Sequence, residues 1–231
     1  TLVERTGLKG VFFSNSGAEA NEGAIKLARK YSFDKYGAGR NQIVTLNHSF
    51  HGRTITTLAA TGQDVFHQYF FPFTEGFLHA EPNDIACVKS ACMSGTVCAV
   101  LMELIQGEGG VLPLDTAFVQ EVASFCKSRD ILLLIDEVQT GVGRTGTLFC
   151  FQQYGIEPDA VTFAKGIAAG LPFGGVLAAK SCASTLCAGT HATTFGGNPI
   201  CAAGANAVLA QLTPDFLAEV TQKGAYIRET I

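Results

Sequence analysis

The sequence predicts an α/β protein, a three-layer α/β/α arrangement built on a mostly parallel sheet, and three observations carry that prediction. Short apolar runs of strand length alternate with segments whose apolar residues recur at helical spacing. Several of these runs are apolar throughout, as strands covered on both faces are. No linker, internal repeat or low-complexity stretch interrupts the alternation, and the 231 residues, 47% apolar and 16% charged, describe a well-buried globular chain.

Val11 to Phe13 reads as the first strand, and SNSGAEANEGAIKLARKYSF follows it. Ser14, Ser16 and Gly17 suit a tight turn, after which Ala20, Ala24, Leu27, Ala28 and Tyr31 recur at helical spacing. The start of such a helix has unpaired N–H groups and the positive end of the helix dipole, so Gly17 and Ala18 leave room for a phosphate against the backbone. A plain N-cap, with Glu19 and Glu22 complementing the dipole, accounts for the same residues.

Ile43 to Leu46 is the second strand, and His48, Phe50, His51 and Arg53 cluster at its end. Such a group can stack on a planar ligand and pair with a carboxylate, while each histidine alone also suits a structural hydrogen bond. The aromatic stretch Val65 to Phe77 reads as a packed loop or dimer contact with no chemistry of its own.

Val97 to Leu104 is a further strand with Glu103 near its end, and the glycine-rich loop Ile105 to Gly110 sets Glu108 beside other strand ends. A solvated loop carboxylate is the alternative for Glu108. Asp115 caps a helix that turns Phe118, Val119, Val122, Ala123 and Phe125 to the sheet. Ile131 to Ile135 is a buried strand that delivers Asp136, and Ala160 to Ala164 is another that delivers Lys165. Ligands of open α/β sheets bind outside the carboxyl ends of the strands, so this Asp and Lys can address one ligand from two directions. Val176 to Ala179 returns to strand, Thr190 to Pro199 offers hydroxyls at Thr193 and Thr194, and Pro199 fits the first turn of a helix continued by Ala202 to Leu212. Phe216 to Ile227 is one more helix.

A formal charge of −4 without blocks of like charge gives no footprint for nucleic acid or an anionic membrane. The apolar runs are too short to span a bilayer and no leader-like segment opens the chain, which argues for a soluble, cytoplasmic protein. Cys87, Cys92, Cys98, Cys126, Cys150, Cys182, Cys187 and Cys201 form no C-x2-C pair, so no metal site is expected and buried free thiols are. A start without Met and an end inside a helical pattern suggest a piece of a longer protein.

Three chemistries compete for Asp136 and Lys165. A P-loop ATPase needs a glycine before its phosphate-binding lysine, and in Gly174 to Ser181 that place is taken by Ala179 before Lys180. A dinucleotide dehydrogenase needs its glycine fingerprint after the first strand with an acid about twenty residues on, which Gly141 to Gly146 does not satisfy. Pyridoxal phosphate needs a lysine amine for its aldehyde, a carboxylate for its ring nitrogen, an anion nest and an aromatic face. Lys165, Asp136, the turn from Ser16 to Ala18, and Phe50 supply candidates for all four.

The segments SNSGAEANE, SFHGRT, IQGEGG, LLLIDEVQTGVGRTG, DAVTFAKG and THATTFGGNP closely resemble the class III pyridoxal-phosphate-dependent aminotransferases, in family order and over nearly the whole chain. The resemblance implies a type I aminotransferase fold and a homodimer with active sites at the subunit interface. It also implies ping-pong transfer of an amino group from N-acetylornithine to 2-oxoglutarate, a step of arginine biosynthesis. Carried over by position, Lys165 binds the cofactor aldehyde and shuttles the proton, and Asp136 pairs with the ring nitrogen. Gln139 meets the ring hydroxyl, Gly17 and Ala18 the phosphate, Phe50 the ring face, and Thr194 the phosphate of the other subunit's cofactor. Ser16, Glu137 and Val138 complete the cofactor-binding set, while Arg53, Glu108 and Thr193 contact substrate. THATTFGGNP favours acetylornithine as donor over ornithine, succinyldiaminopimelate or 4-aminobutyrate, and a truncated non-catalytic homologue is the alternative of another class. Leu104 departs from the family's usual proline. Residues 1–231 would be the cofactor-binding large domain, without the family's N-terminal segment and C-terminal small domain, and this piece alone is expected to bind cofactor poorly and turn over little.

Overall fold

The computed structural model describes residues 1–231. In chain order it contains α1 (Leu2–Thr6), β1 (Gly10–Ser14), α2 (Gly17–Tyr36), β2 (Gln42–Leu46), α3 (Ile55–Ala60), β3 (Phe77–Ala80), α4 (Ile85–Ala91) and β4 (Val97–Met102). A two-residue pair, β5 (Ile105–Gln106) and β6 (Leu112–Pro113), precedes α5 (Thr116–Arg129), β7 (Leu132–Asp136), α6 (Phe151–Tyr154), β8 (Ala160–Phe163), β9 (Gly174–Ala178), α7 (Pro199–Gln211) and α8 (Pro214–Thr230). Seven strands form one sheet in the order β1-β9-β8-β7-β4-β2-β3. Every pairing from β8 across to β3 is parallel, and β9 alone runs against its two neighbours.

The uniformly apolar strands are explained by cover on both faces. Side chains alternate along a strand, so Leu132 and Leu134 of β7 pack with Ala24, Ile25, Leu27 and Ala28 of α2. Leu133 and Ile135 pack on the other side with Phe118, Val119 and Val122 of α5. The sheet is thus the middle of three layers, as the sequence predicts. One irregularity interrupts the alternation. The β2–β4 register shifts between Gln42 and Ile43, and Cys98 and Ala99 consequently face the same α2 side.

Several elements differ from their sequence reading. Phe77, placed in the aromatic loop, opens the edge strand β3, whose four residues are too few to show a period against the aromatic run before them. Val97 to Leu104 stops being strand at Met102, because Leu104 turns away and its carbonyl accepts from Leu114 N at 2.9 Å. Gly174 to Ala178 is strand, so the near match to a phosphate loop has no loop to offer. Gly141 to Gly146 is a string of turns docked on the last helices, where a Cβ on Gly143 would lie 2.9 Å from Leu212 Cδ2. No helix is long and apolar enough to cross a membrane. All eight cysteines are free; six are buried, Cys87 is partly covered and Cys187 is exposed.

Candidate active site

The carboxyl ends of β2, β4, β7 and β8 surround a cavity of about 390 Å³. That lies within the range of roughly 300–1,000 Å³ usual for small-molecule sites. Asp136 forms its floor at 3% exposure. A carboxylate so far from water requires donors, and it has four. Its Oδ2 accepts from Asn21 Nδ2 at 2.7 Å and His51 Nδ1 at 2.8 Å, and Oδ1 from Val138 N at 3.0 Å and Thr162 Oγ1 at 3.4 Å. Donation through Nδ1 fixes the His51 tautomer and leaves its buried Nε2 without a partner.

Lys165 follows β8 in the left-handed region at φ 48°, which turns its side chain out of the strand and into the cavity. Its Nζ donates to Gln139 Oε1. Opposite lies the first turn of α2. Ser16 Oγ caps the helix by accepting from Glu19 N at 3.2 Å, leaving Gly17 and Ala18 to line the cavity with first-turn N–H groups. A Cβ on Gly17 would lie 2.6 Å from Val138 Cγ1, so only glycine lets this turn sit against the loop that follows Asp136.

Glu103 is 4% exposed and clamps two walls of the cavity. One oxygen accepts from Phe50 N at 2.8 Å and the other from Gly107 N at 3.2 Å. Burial first, and then the negative charge of Asp136, push its carboxyl up to about 7. Arg53 lies over the rings of Phe66, at 4.7 Å, and Phe50, at 5.6 Å.

Phe50, Arg53, Glu108, Asp136, Val138, Gln139 and Lys165 thus meet around one cavity with Gly17 and Ala18. Three expected members of the cofactor set stand elsewhere. Ser16 spends its hydroxyl on the helix cap. Thr194 is exposed and, with Thr193, lines a separate cavity beside Asn15, Glu19 and His191. Glu137, expected in the cofactor set, is outside the cavity lining: its carboxylate accepts from Thr140 Oγ1 at 2.6 Å, Cys150 N at 2.9 Å and Phe151 N at 2.7 Å. Burial raises its carboxyl in spite of those donors.

Asn21 and Glu103 line the cavity without having been assigned to it from sequence, and His51, read there only as one of a cluster at the end of the second strand, meets Asp136. The signals existed. Asn21 is a polar residue on the helix face that carries Ala20, Ala24 and Ala28, and Glu103 is the one charge in an apolar run. Phe66 reaches the site from the stretch read as having no chemistry.

The fold is that of the pyridoxal-phosphate-dependent aminotransferases of fold type I. The ornithine aminotransferase of Toxoplasma gondii, described with partial occupancy of PLP at its active site, superposes with a TM-score of 0.92 at 32% identity, over 99% of this chain and 55% of that one. The chain belongs to the class-III aminotransferase family, whose model matches residues 1–231. Among curated relatives, it is 58% identical to the acetylornithine aminotransferase of Haemophilus ducreyi over 100% of this chain and 58% of that protein. It is 46% identical to the succinylornithine transaminase of Photorhabdus laumondii over 100% of this chain and 57% of that protein. The chain therefore spans a little over half the length of the relatives it matches.

Proposed function

We propose that the protein carrying this chain is a pyridoxal-phosphate-dependent aminotransferase that moves the amino group of N-acetylornithine to 2-oxoglutarate, with residues 1–231 as its cofactor-binding large domain. The observation that carries the reading is the meeting, in one cavity, of the Lys165 amine, the buried Asp136 carboxylate and the open N-terminal turn of α2.

These residues fit the cofactor. The first turn of α2 offers N–H donors and a positive dipole end to a phosphate, beside a glycine whose missing Cβ keeps the turn close to Val138. Asp136, held by four donors, would take a ring nitrogen, Gln139 a ring hydroxyl, and the half-buried Phe50 a ring face. When bound, pyridoxal phosphate supplies an aldehyde that condenses with amines and an electron-poor ring that takes up the electron pair left when the substrate Cα loses its proton.

The chain's own residues do the rest. Lys165 Nζ is the amine that would hold the cofactor and, once free, would carry the proton of the substrate Cα. Gln139 Oε1 accepts from that amine and steadies it between tasks. Asn21, His51 and Val138 hold Asp136 so that its charge meets the ring without reorganisation. Arg53, which lines the cavity, binds the substrate carboxylate, and Glu108 adjusts the pocket between the two substrates.

A homodimer completes this reading. Thr194 is exposed and stands outside its own chain's cavity, which supports its donation to the cavity of a second copy, with Thr193 reaching substrate there. A cytoplasmic location belongs to the same proposal. Ornithine is the second donor to consider, since the structural relative from Toxoplasma gondii carries that activity.

The test combines spectroscopy with competition. The full-length protein mixed with pyridoxal phosphate gains an imine absorption band that is absent in Lys165→Ala; a band unchanged in the variant removes Lys165 from its role. In a coupled assay, acetylornithine outcompetes ornithine, succinyldiaminopimelate and 4-aminobutyrate, and a strong preference for 4-aminobutyrate overturns the assignment of the donor.

A further inference from the structure

Of the chain's seven arginines, three are tied to backbone carbonyls, and of the four without a side-chain hydrogen bond or ion pair Arg53 is the one that lines the cavity. Arg5 donates to Leu209 O at 2.8 Å and Leu212 O at 2.6 Å. Arg29 and Arg40 likewise donate to backbone carbonyls, between 2.8 and 3.2 Å. A guanidinium with its N–H groups engaged in this way is a strut. Arg53 makes no hydrogen bond or ion pair with the protein. Its guanidinium carbon lies over two rings, 4.7 Å from the centroid of Phe66 and 5.6 Å from that of Phe50. The two rings themselves meet edge to face, with centroids 5.6 Å apart.

Aromatic support has a specific chemical consequence. A ring attracts the face of the guanidinium and leaves its edge, where the N–H donors lie, free. That edge is what a carboxylate takes in bidentate fashion. Phe50 cannot do this alone, because its farther ring also borders the space proposed for the cofactor. Phe66 has no such second task, and the short 3-10 turn Asp64–Phe66 holds it there.

Resting on the reading of Arg53 as a substrate contact, we propose that Phe66 is a positioning residue for substrate recognition, whose ring holds the Arg53 guanidinium edge-on to the cavity for the carboxylate of a dicarboxylic substrate. The stretch from Val65 to Phe77 then contributes to specificity rather than to packing alone. Replacing the ring with an aliphatic side chain frees Arg53 to sample other rotamers, and carboxylate affinity falls. A tyrosine at the same place keeps the face and keeps the affinity.

The experiment uses the full-length protein and glutarate, an unreactive dicarboxylate, with binding measured by calorimetry. Phe66→Leu is expected to weaken glutarate about fivefold, the upper end of the range for a cation–π contact of an exposed arginine. Phe66→Tyr stays within about twofold of the unaltered protein, because the ring face is preserved. In the reaction, Phe66→Leu raises KM for 2-oxoglutarate and leaves kcat nearly unchanged, since the binding it removes is shared by ground and transition states. Phe66→Met carries the same expectations if the leucine variant fails to fold. In an Arg53→Ala background, Phe66→Leu has no further effect on glutarate.

Glutarate affinity that falls in Arg53→Ala but holds in Phe66→Leu overturns the proposal and leaves the reading of Arg53 standing. Affinity that holds in Arg53→Ala overturns both. A loss in Phe66→Leu that persists undiminished in the Arg53→Ala background also overturns it, because Phe66 would then act by another route.

Discussion

Glu103→Gln isolates the ionisation of the buried clamp between the Phe50 and Gly107 walls. In the folded protein burial and Asp136 push the Glu103 carboxyl up to about 7, from its ordinary value of 4.5. Between those two values the folded state holds a proton that the unfolded state has released. Stability therefore falls as pH rises through this window and levels off above it. Across 2.5 units (7 − 4.5) the loss is on the order of 3 kcal/mol, at about 1.4 kcal/mol per unit. Glutamine does not titrate, and its amide nitrogen cannot accept from whichever of Phe50 N and Gly107 N it faces. The variant should therefore be less stable than the unaltered protein by about 1–3 kcal/mol near the acid end of the window and recover about 3 kcal/mol relative to it toward pH 8. Urea unfolding of both proteins at pH 5, 6, 7 and 8 reads the difference directly. Parallel stability profiles refute the reasoning, because they mean that Glu103 ionises as readily in the fold as outside it.

Two further substitutions probe close packing near the cavity. Gly17→Ala places a Cβ 2.6 Å from Val138 Cγ1 in the loop that donates to Asp136, and should cost about 1–3 kcal/mol of stability in urea unfolding. Tyr154→Phe removes the hydroxyl that lies 3.1 Å from both Leu104 O and Leu114 O, and should cost about 1–2 kcal/mol by the same measurement.

What was legible in the sequence was what repeats. Strands buried on both faces announce themselves as uniform apolar runs, and β2, β4, β7, β8 and β9 lie where those runs are. The edge strand β3 was missed because its four residues, half-covered at most positions, carry a weaker pattern than the aromatic loop before them. The site divided in the same way. Lys165 and Asp136 stood out because each is a charge at the end of an apolar run. Asn21 and Phe66 are ordinary residues within their own segments, and only the packing of α2 and of the 3-10 turn brings them to Asp136 and Arg53. Local sequence does not encode those meetings, since the partners are 115 and 13 residues apart (136 − 21 and 66 − 53).

Asp136 and Glu137 show how far strand parity reaches. Leu132, Leu134 and Asp136 share one face of β7, the face covered by α2, so Asp136 meets Asn21 on that helix. Leu133, Ile135 and Glu137 share the other, so Glu137 meets the backbone of Cys150 and Phe151 beside the second core. Two adjacent acids of nearly equal burial, 3% and 0% exposed, thereby receive opposite tasks. One carboxylate opens on the cavity. The other, fully buried and outside the cavity lining, accepts from Thr140, Cys150 and Phe151 and so ties down the loop between them. Once the face covered by α2 is known, counting along the strand separates the two, because side chains within β7 reach that face only from even-numbered residues. The same count explains why Thr162 of β8 reaches Asp136 while Val161 and Phe163 lie in the opposite core.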